Sequence, residues 1–351
     1  MSVASVSGSP SVVILGSGIA VPKLRFSNED LASWHGRKSA AWLEATFGVR
    51  HRHAVYDYRN DRLTDEDDND LAIAAGRRAL AAAGTDIGEI DALLLASGTP
   101  AYVVAPDNAC VVHQQLGARR DAAAFMHTAG CAGMLNVMKL GAALIRSGEA
   151  RRVLVCASNT ISSYVRRDLV KKVWMQASIF GDAAAALVLA ADDGATGRGF
   201  GRFHMGAEHA RDVAFKKYGG SKHPPAPDDL GPMRDDAFVF DYRRVPDNLR
   251  ETFTEMYREA LQSPELGGQS PDWILFNMSN GAIQRQWVDT MELPIDKFVF
   301  NMAEYGNCAA ASVGLVVHDW LTQKKPAPGQ TALVMTVGTG LQFGWTLYRV
   351  P

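Results

Sequence analysis

Apolar positions along the chain follow two alternating rhythms. Short unbroken apolar runs predict buried strands at residues 11–21, 90–97, 122–126, 152–158, 183–190, 273–277, 298–301, 331–337 and 342–349. The first of these is interrupted by Gly16 and Gly18. Between the runs, apolar residues return at helical spacing over 71–83, 135–148, 248–261, 281–289 and 309–321. A further helix opens at Ala105-Pro106-Asp107 and runs to Leu116, and a short capped one begins at Ser27. Strand–helix units thus fill both halves, predicting an α/β fold. The order of elements in the first half is echoed in the second, although no sequence repeat is obvious. The expectation is a duplicated α/β unit, divided into residues 1–195 and 196–351. Residues 210–236 are rich in Gly, Pro and charge, too long for an ordinary connection, and read as an inserted lid, binding loop or disordered segment.

The chain is organised around residues 126–148, MHTAGCAGMLNVMKLGAALIRSG. The small residues Ala129, Gly130, Ala132 and Gly133 surround Cys131, where a predicted strand hands over to a mostly apolar helix. A helix N-terminus offers unpaired N–H groups and partial positive charge, which favour the nucleophilic thiolate. The competing reading is a small buried hydrophobe.

Composition narrows the choices. The chain has 351 residues, is 47% hydrophobic, and carries a formal net charge of −2, so no overall field favours nucleic acid or a membrane surface. Cys110, Cys131, Cys156 and Cys308 have no C-x-x-C spacing, which argues against metal ligation and a disulfide framework and fits a reducing cytoplasm. The N-terminal residues do not read as a signal peptide, and no apolar run reaches membrane-span length. The expectation is a soluble cytoplasmic protein.

Three local patterns stay open. The acid run 64–70 (TDEDDND) reads as a solvated helix start. Arg166, Arg167, Lys171 and Lys172 lie near Trp174 and read either as a solvated face or as a dock for an anionic carrier or phosphate. GSGIAVP has dinucleotide-like glycines but lacks the helix that such a site needs.

Loops at strand ends gather at Gly130-Cys131, at residues 277–280, and at Tyr305-Gly306-Asn307; Val337-Gly338-Thr339-Gly340 could offer a further backbone N–H. With TAGCAG around Cys131, FGDAAAA at 180–186, YGNCAAAS at 305–312, VGTGLQFGW at 337–345 and WLEATFGVRHRHA at 42–54, the chain resembles the thiolase-fold condensing enzymes. Within them it is most similar to β-ketoacyl-acyl-carrier-protein synthase III, nearly end to end. The resemblance implies a thiolase fold of duplicated αβαβα five-layer halves, a homodimer, and ping-pong acyl transfer through cysteine. It makes Cys131 the acylated nucleophile, Asn307 the catalytic asparagine, and the Cys131 N–H with Gly340 the oxyanion hole. It sets Trp42 against the adenine of coenzyme A, with Thr46 where many members have arginine. Val104 and Ala105 match the region lining the partner subunit's acyl pocket.

The largest departure is at Phe276-Asn277-Met278-Ser279-Asn280, where members read P-H-Q-A-N. Asn277 stands at the catalytic histidine position, and Asn280 keeps the last position as a substrate-binding residue. An amide can donate a hydrogen bond to an enolate oxygen, but it cannot act as a base near neutral pH. His127, His204, His209 and His318 are the candidates to replace the missing imidazole. The expected activity is acyl transfer from an acyl-coenzyme A or acyl-carrier protein, as a Claisen condensation in specialised polyketide or fatty-acid-derived metabolism. The alternatives are transfer to an alcohol, amine or carrier thiol, or a catalytically silent partner subunit. No metal or separate cofactor is called for; the thioester is the substrate.

Overall fold

Strand β1 (Ser11–Ala20) is followed by the short pair β2 (Arg25–Ser27) and β3 (His51–His53), which brackets α1 (Asn28–His35) and α2 (Ala40–Phe47), and by a second short pair, β4 (Tyr56–Asp57) and β5 (Arg62–Leu63). Next come α3 (Asp68–Ala83), β6 (Ala92–Ser97), α4 (Asn108–Leu116), β7 (Ala123–Thr128), α5 (Gly133–Arg146), β8 (Arg152–Asn159), α6 (Val170–Ile179) and β9 (Ala183–Asp192). The remainder holds β10 (Gly199–Ala207), the pair β11 (Ala214–Phe215) and β12 (Val239–Phe240), α7 (Val245–Gln262), β13 (Trp273–Asn277), α8 (Gly281–Thr290), α9 (Met302–Tyr305), α10 (Ser312–Asp319), β14 (Thr331–Gly338) and β15 (Gln342–Arg349). The computed structural model describes residues 10–103, 105–165, 170–192, 197–208, 214–215, 239–240, 245–277, 280–338 and 341–351.

Two sheets carry the fold. The first has strand order β1-β9-β8-β6-β7, with β9 antiparallel to both neighbours and β6 parallel to both of its own. The second has order β10-β15-β14-β13, with β15 antiparallel to both neighbours and β13 parallel to β14. A parallel bridge from Ile274 to Phe298 marks the fifth position. The second sheet therefore repeats the first strand for strand, as the echo in element order predicts. The expected division near residue 195 falls between β9 and β10, at residues outside the described set.

Helices complete the layers. Helix α3 packs on β1, β8 and β9; α5 and α10 lie between the sheets; α7 covers β14 and β15. The middle layer explains why α5 is apolar nearly all round: Met134, Leu135, Val137, Met138, Ala142 and Ile145 are all buried, in one core with Val313, Val316 and Val317 of α10. This is the αβαβα arrangement that the resemblance implies.

Four local expectations change. Helix α6 forms where the basic residues masked its period, and β10 forms despite three glycines. The predicted strand 298–301 shrinks to its single bridge. The predicted helix 309–321 breaks into a 3₁₀ turn at Ala309–Ala311, helix α10, and a π turn at Trp320–Lys324. The break has a local cause, because the Asn307 side chain takes the Ala309 N–H at 2.9 Å. In the acid run, Asp67 and Asp70 form a reciprocal capping box on α3, but Asp68 is buried rather than solvated.

Candidate active site

The Cys131 turn is built from β7, whose register with β6 ends at Ser97 and Thr128. The chain then turns through Gly130, with Gly133 N–H donating to Gly130 O at 2.8 Å. Ala132 is the N-cap of α5, so Cys131 sits just before the helix. Cys131 is half-buried and free. Its carbonyl accepts the Thr336 hydroxyl at 3.0 Å, which ties the turn to β14 of the other sheet. Gly338, at the end of β14, lies against the same turn. A Cβ there would stand 2.7 Å from the Ala132 nitrogen and 3.2 Å from the Cys131 nitrogen, so only glycine fits without displacement.

Asn307 is clamped by its backbone. Its N–H donates to Ile179 O at 2.9 Å, and its carbonyl accepts Gly181 N–H at 3.2 Å, forming a parallel bridge with Phe180. Gly306 permits this approach at φ +70°, where a Cβ would be 2.8 Å from Ile179 O. The Asn307 side-chain oxygen accepts from Ala309 N–H at 2.9 Å, Ser312 Oγ at 3.2 Å and Asn277 Nδ2 at 3.4 Å. A backbone donor on that oxygen fixes the amide's orientation, and the Asn307 amide favours the Cys131 thiolate. Ala309 adopts φ +42°, a left-handed conformation costing of order 1–2 kcal/mol for a residue with a Cβ. Strain thus supports the donor that orients the Asn307 amide.

Asn277 ends β13 and is buried. The structure hydrogen-bonds Asn277 to Asn307, and the Asn307 amide acts on the Cys131 thiol. Phe276 packs against Phe253, Trp287 and Phe298 with ring centroids 5.2, 5.3 and 5.6 Å apart. Phe276, beside Asn277, is thus held in an aromatic cluster at the end of β13.

The electrostatics differ from the expectation for a helix N-terminus. Burial pushes the Cys131 thiol up to about 11, while its own backbone N–H and the Asn307 amide pull the other way. Desolvation wins because the turn is covered by β14 and the Ala309–Ala311 turn, and because Cys131 stands outside the helix proper.

The histidine candidates are engaged elsewhere. His127 Nε2 is 2.8 Å from Asn136 Nδ2. His204 stacks on Trp345 at 3.8 Å, and His318 Nδ1 is 2.9 Å from Ser17 Oγ. Burial lowers the pKa of all three. His209 lies outside the described residues, as do Gly340, Val104, Arg166 and Arg167. Asn280 acts locally, its side chain capping α8 by accepting the Ile283 N–H at 2.8 Å. Trp42 is 36% exposed, with Lys38 Nζ 4.6 Å over its ring and Trp174, from the basic stretch, at 6.1 Å. Ala105 is exposed on the loop before α4, beside Tyr102 and Val103. Among the described residues, no cluster of His, Cys, Asp or Glu could hold a metal ion, and no helix is long and apolar enough to cross a membrane.

Sequence reasoning misses Thr336 and Ser312. Ser312 lies inside the YGNCAAAS motif, which is its only signal. Thr336 has none, because its role follows from the contact between the two halves.

Comparison with known proteins gives the family. The family model described as 3-oxoacyl-[acyl-carrier-protein] synthase III matches residues 125–209, and the model for its C-terminal part matches residues 261–350. The curated β-ketoacyl-[acyl-carrier-protein] synthase III of Roseiflexus castenholzii is 30% identical over 347 residues, covering 96% of this chain and 97% of that protein. The solved 3-oxoacyl-(acyl carrier protein) synthase III of Pseudomonas aeruginosa PAO1 is 27% identical, with a TM-score of 0.82 over 97% of this chain and 98% of its own. The priming β-ketosynthase from the R1128 polyketide biosynthetic pathway is 25% identical, with a TM-score of 0.82 over 100% of this chain and 99% of its own. The chain belongs to the β-ketoacyl-acyl-carrier-protein synthase III family of thiolase-fold condensing enzymes, and its enzyme class is acyltransferase.

Proposed function

We propose that this chain carries an acyl group as a thioester on Cys131 and joins it to a malonyl-type thioester by decarboxylative Claisen condensation. The observation that carries the reading is the row Asn277–Asn307–Cys131, in which Asn277 donates to Asn307 and the Asn307 amide favours the Cys131 thiolate. In the first half-reaction the Cys131 sulfur attacks the donor thioester, the donor's carbon–sulfur bond breaks, and the thiol proton leaves on the released thiol. In the second, carbon dioxide departs, the enolate carbon attacks the acyl carbonyl, and Cys131 leaves as a thiolate that regains a proton. The second N–H of Asn277 is the donor available to the enolate oxygen. Neither amide titrates, so the row stabilises charge without moving a proton. The steps balance with the thioesters and one proton from solvent, which the departing Cys131 thiolate takes up.

The names of the curated relatives favour an acyl-carrier protein among the substrates. Lys38 over the Trp42 ring, with Thr46 nearby in sequence, leaves the coenzyme A platform altered, which also favours a carrier-borne group. Asn277 and the likeness to a priming ketosynthase favour specialised polyketide or fatty-acid-derived metabolism. Free cysteines fit a cytoplasmic setting. A homodimer is supported by the edge strand β7, whose Phe125 is 52% exposed.

Intact-mass measurement after incubation with acyl-coenzyme A and acyl-carrier thioesters tests the first step. An acyl-sized increase that Cys131→Ala abolishes is expected, and no adduct from any thioester would favour a silent subunit. Carbon dioxide release from malonyl thioesters then separates condensation from simple transfer.

A further inference from the structure

The hairpin of β14 and β15 reaches the nucleophile turn from the opposite sheet, and a second contact holds it there. Asn136, one turn into α5, is locked to the Cys131 turn by its backbone N–H on Ala132 O at 3.0 Å. Its side-chain nitrogen lies 2.8 Å from Gln342 Oε1 and 2.8 Å from His127 Nε2. Gln342 is the residue paired with Gly338 across the hairpin. Gly338 already stands as close to Ala132 as backbone packing allows, since a single added Cβ would collide at 2.7 Å. Contact therefore sets the minimum separation of hairpin and turn, and the Asn136 amide opposes any increase.

We propose that Asn136 is a positioning residue for acyl transfer, its amide tethering the β14–β15 hairpin to the nucleophile helix and so fixing the space beside the Cys131 N–H in which a thioester oxygen is bound. The proposal rests on the acyl-transfer reading for its effect on rate, though the tether itself does not. His127, on the edge strand β7, completes the tether by holding the Asn136 amide from the other side. Whichever way the amides are turned, a donor–acceptor match survives only with a polar group at 136. An isosteric apolar side chain keeps the volume and loses the bonds.

The test uses the full chain with Asn136→Leu and Asn136→Asp. Three readouts are taken: the rate of Cys131 acylation by a short acyl-coenzyme A, alkylation of Cys131 by iodoacetamide, and backbone hydrogen exchange across residues 336–345. Asn136→Leu is expected to lower the maximal acylation rate about 10- to 100-fold, the range for a misplaced reacting group, with half-saturation unchanged. Alkylation, which needs no oxyanion site, stays within about twofold of the parent, while exchange in the hairpin rises about tenfold or more. Asn136→Asp restores both, because a carboxylate accepts from the Nε2–H tautomer of a neutral His127 and from the Gln342 amide once that amide turns over. Unchanged hairpin exchange in Asn136→Leu overturns the tether whether or not acylation occurs. Loss of alkylation in step with acylation also overturns it, as does failure of a folded Asn136→Asp to recover. A parent enzyme without an adduct, combined with faster exchange in Asn136→Leu, sinks the acyl-transfer reading and supports the tether.

Discussion

The Asn277 side-chain nitrogen lies 3.4 Å from the Asn307 side-chain oxygen, and the Asn307 amide in turn faces the Cys131 sulfur. Two amides in series are well suited to hold charge that develops on an oxygen. They are unsuited to take a proton from a thiol. Under the proposed acyl transfer, the sulfur therefore enters the reaction at whatever ionisation its surroundings impose.

Those surroundings set the first prediction. With the Cys131 thiol near 11, roughly one molecule in ten thousand is thiolate at pH 7. The deprotonated form is the reactive one, so its fraction rises tenfold per pH unit until pH nears that value. Iodoacetamide alkylation of Cys131, followed by peptide mass from pH 6.5 to 10 so that the exposed Cys110 is counted apart, should climb with a slope close to one and no plateau near neutrality. A plateau between pH 7 and 8 would show a proton acceptor that the described residues do not supply.

Restoring an imidazole is the second. Asn277→His places a titrating donor at the end of β13, beside Asn307. Malonyl decarboxylation should rise at least about tenfold, toward the 10²–10⁴ range of general acid–base help. Its pH profile should gain a limb near the imidazole range, between about 6 and 7. An unchanged rate in a folded variant, monitored by released carbon dioxide, would place the enolate away from residue 277.

Much of this is legible in the chain because it rests on local rules. The strand at 273–277, the apolar helix after Cys131 and the glycines flanking it follow from periodicity and turn chemistry. The residues of the row are another matter. Asn307 can be marked by its Gly-Asn loop, but not its partner Ala309 or the strain stored there, because that geometry arises only when the turn folds back on its own side chain. Thr336 and Gln342 sit on strands whose pattern reads simply as core. Their contacts with Cys131 and Asn136 come from the other half of the molecule, and no local pattern encodes a meeting across more than 200 residues.

Asp68 supports a third prediction, concerning stability. It is buried at the start of α3, with Oδ2 lacking a hydrogen-bond partner among the described residues. Burial pushes its carboxyl up to about 7, against the hydroxyls of Ser97, Ser158 and Thr99, which pull down. A raised acid binds its proton more tightly folded than unfolded. Its contribution is thus fully present below the unfolded value near 4 and is lost as pH rises toward 7, a swing of about 4 kcal/mol. Asp68→Asn keeps the shape without the charge. It should raise the melting temperature at pH 8 by several degrees and leave it nearly unchanged at pH 4.5. An equal effect at both values would assign the change to packing.

The last prediction concerns β7. This strand pairs only with β6 among the described residues, leaving one row of backbone groups without a strand partner, and Phe125 presents its ring outward at 52% exposure. An apolar edge of this kind invites pairing, and natural proteins otherwise blunt it with charge or proline. A second copy related by a two-fold axis would cover the edge and bury the ring without leaving a new one. The exposed Tyr102 and Val103, on the loop before α4, are placed to reach toward such a partner, since α4 packs directly on β7. Phe125→Asp should therefore convert a particle of twice the chain mass into one of single mass by sedimentation equilibrium. Acylation of Cys131 should fall with it, because each acyl site would lose the partner's loop. A parent protein that sediments as a single chain, or a Phe125→Asp variant that remains double, would remove β7 from the interface and return Phe125 to the surface.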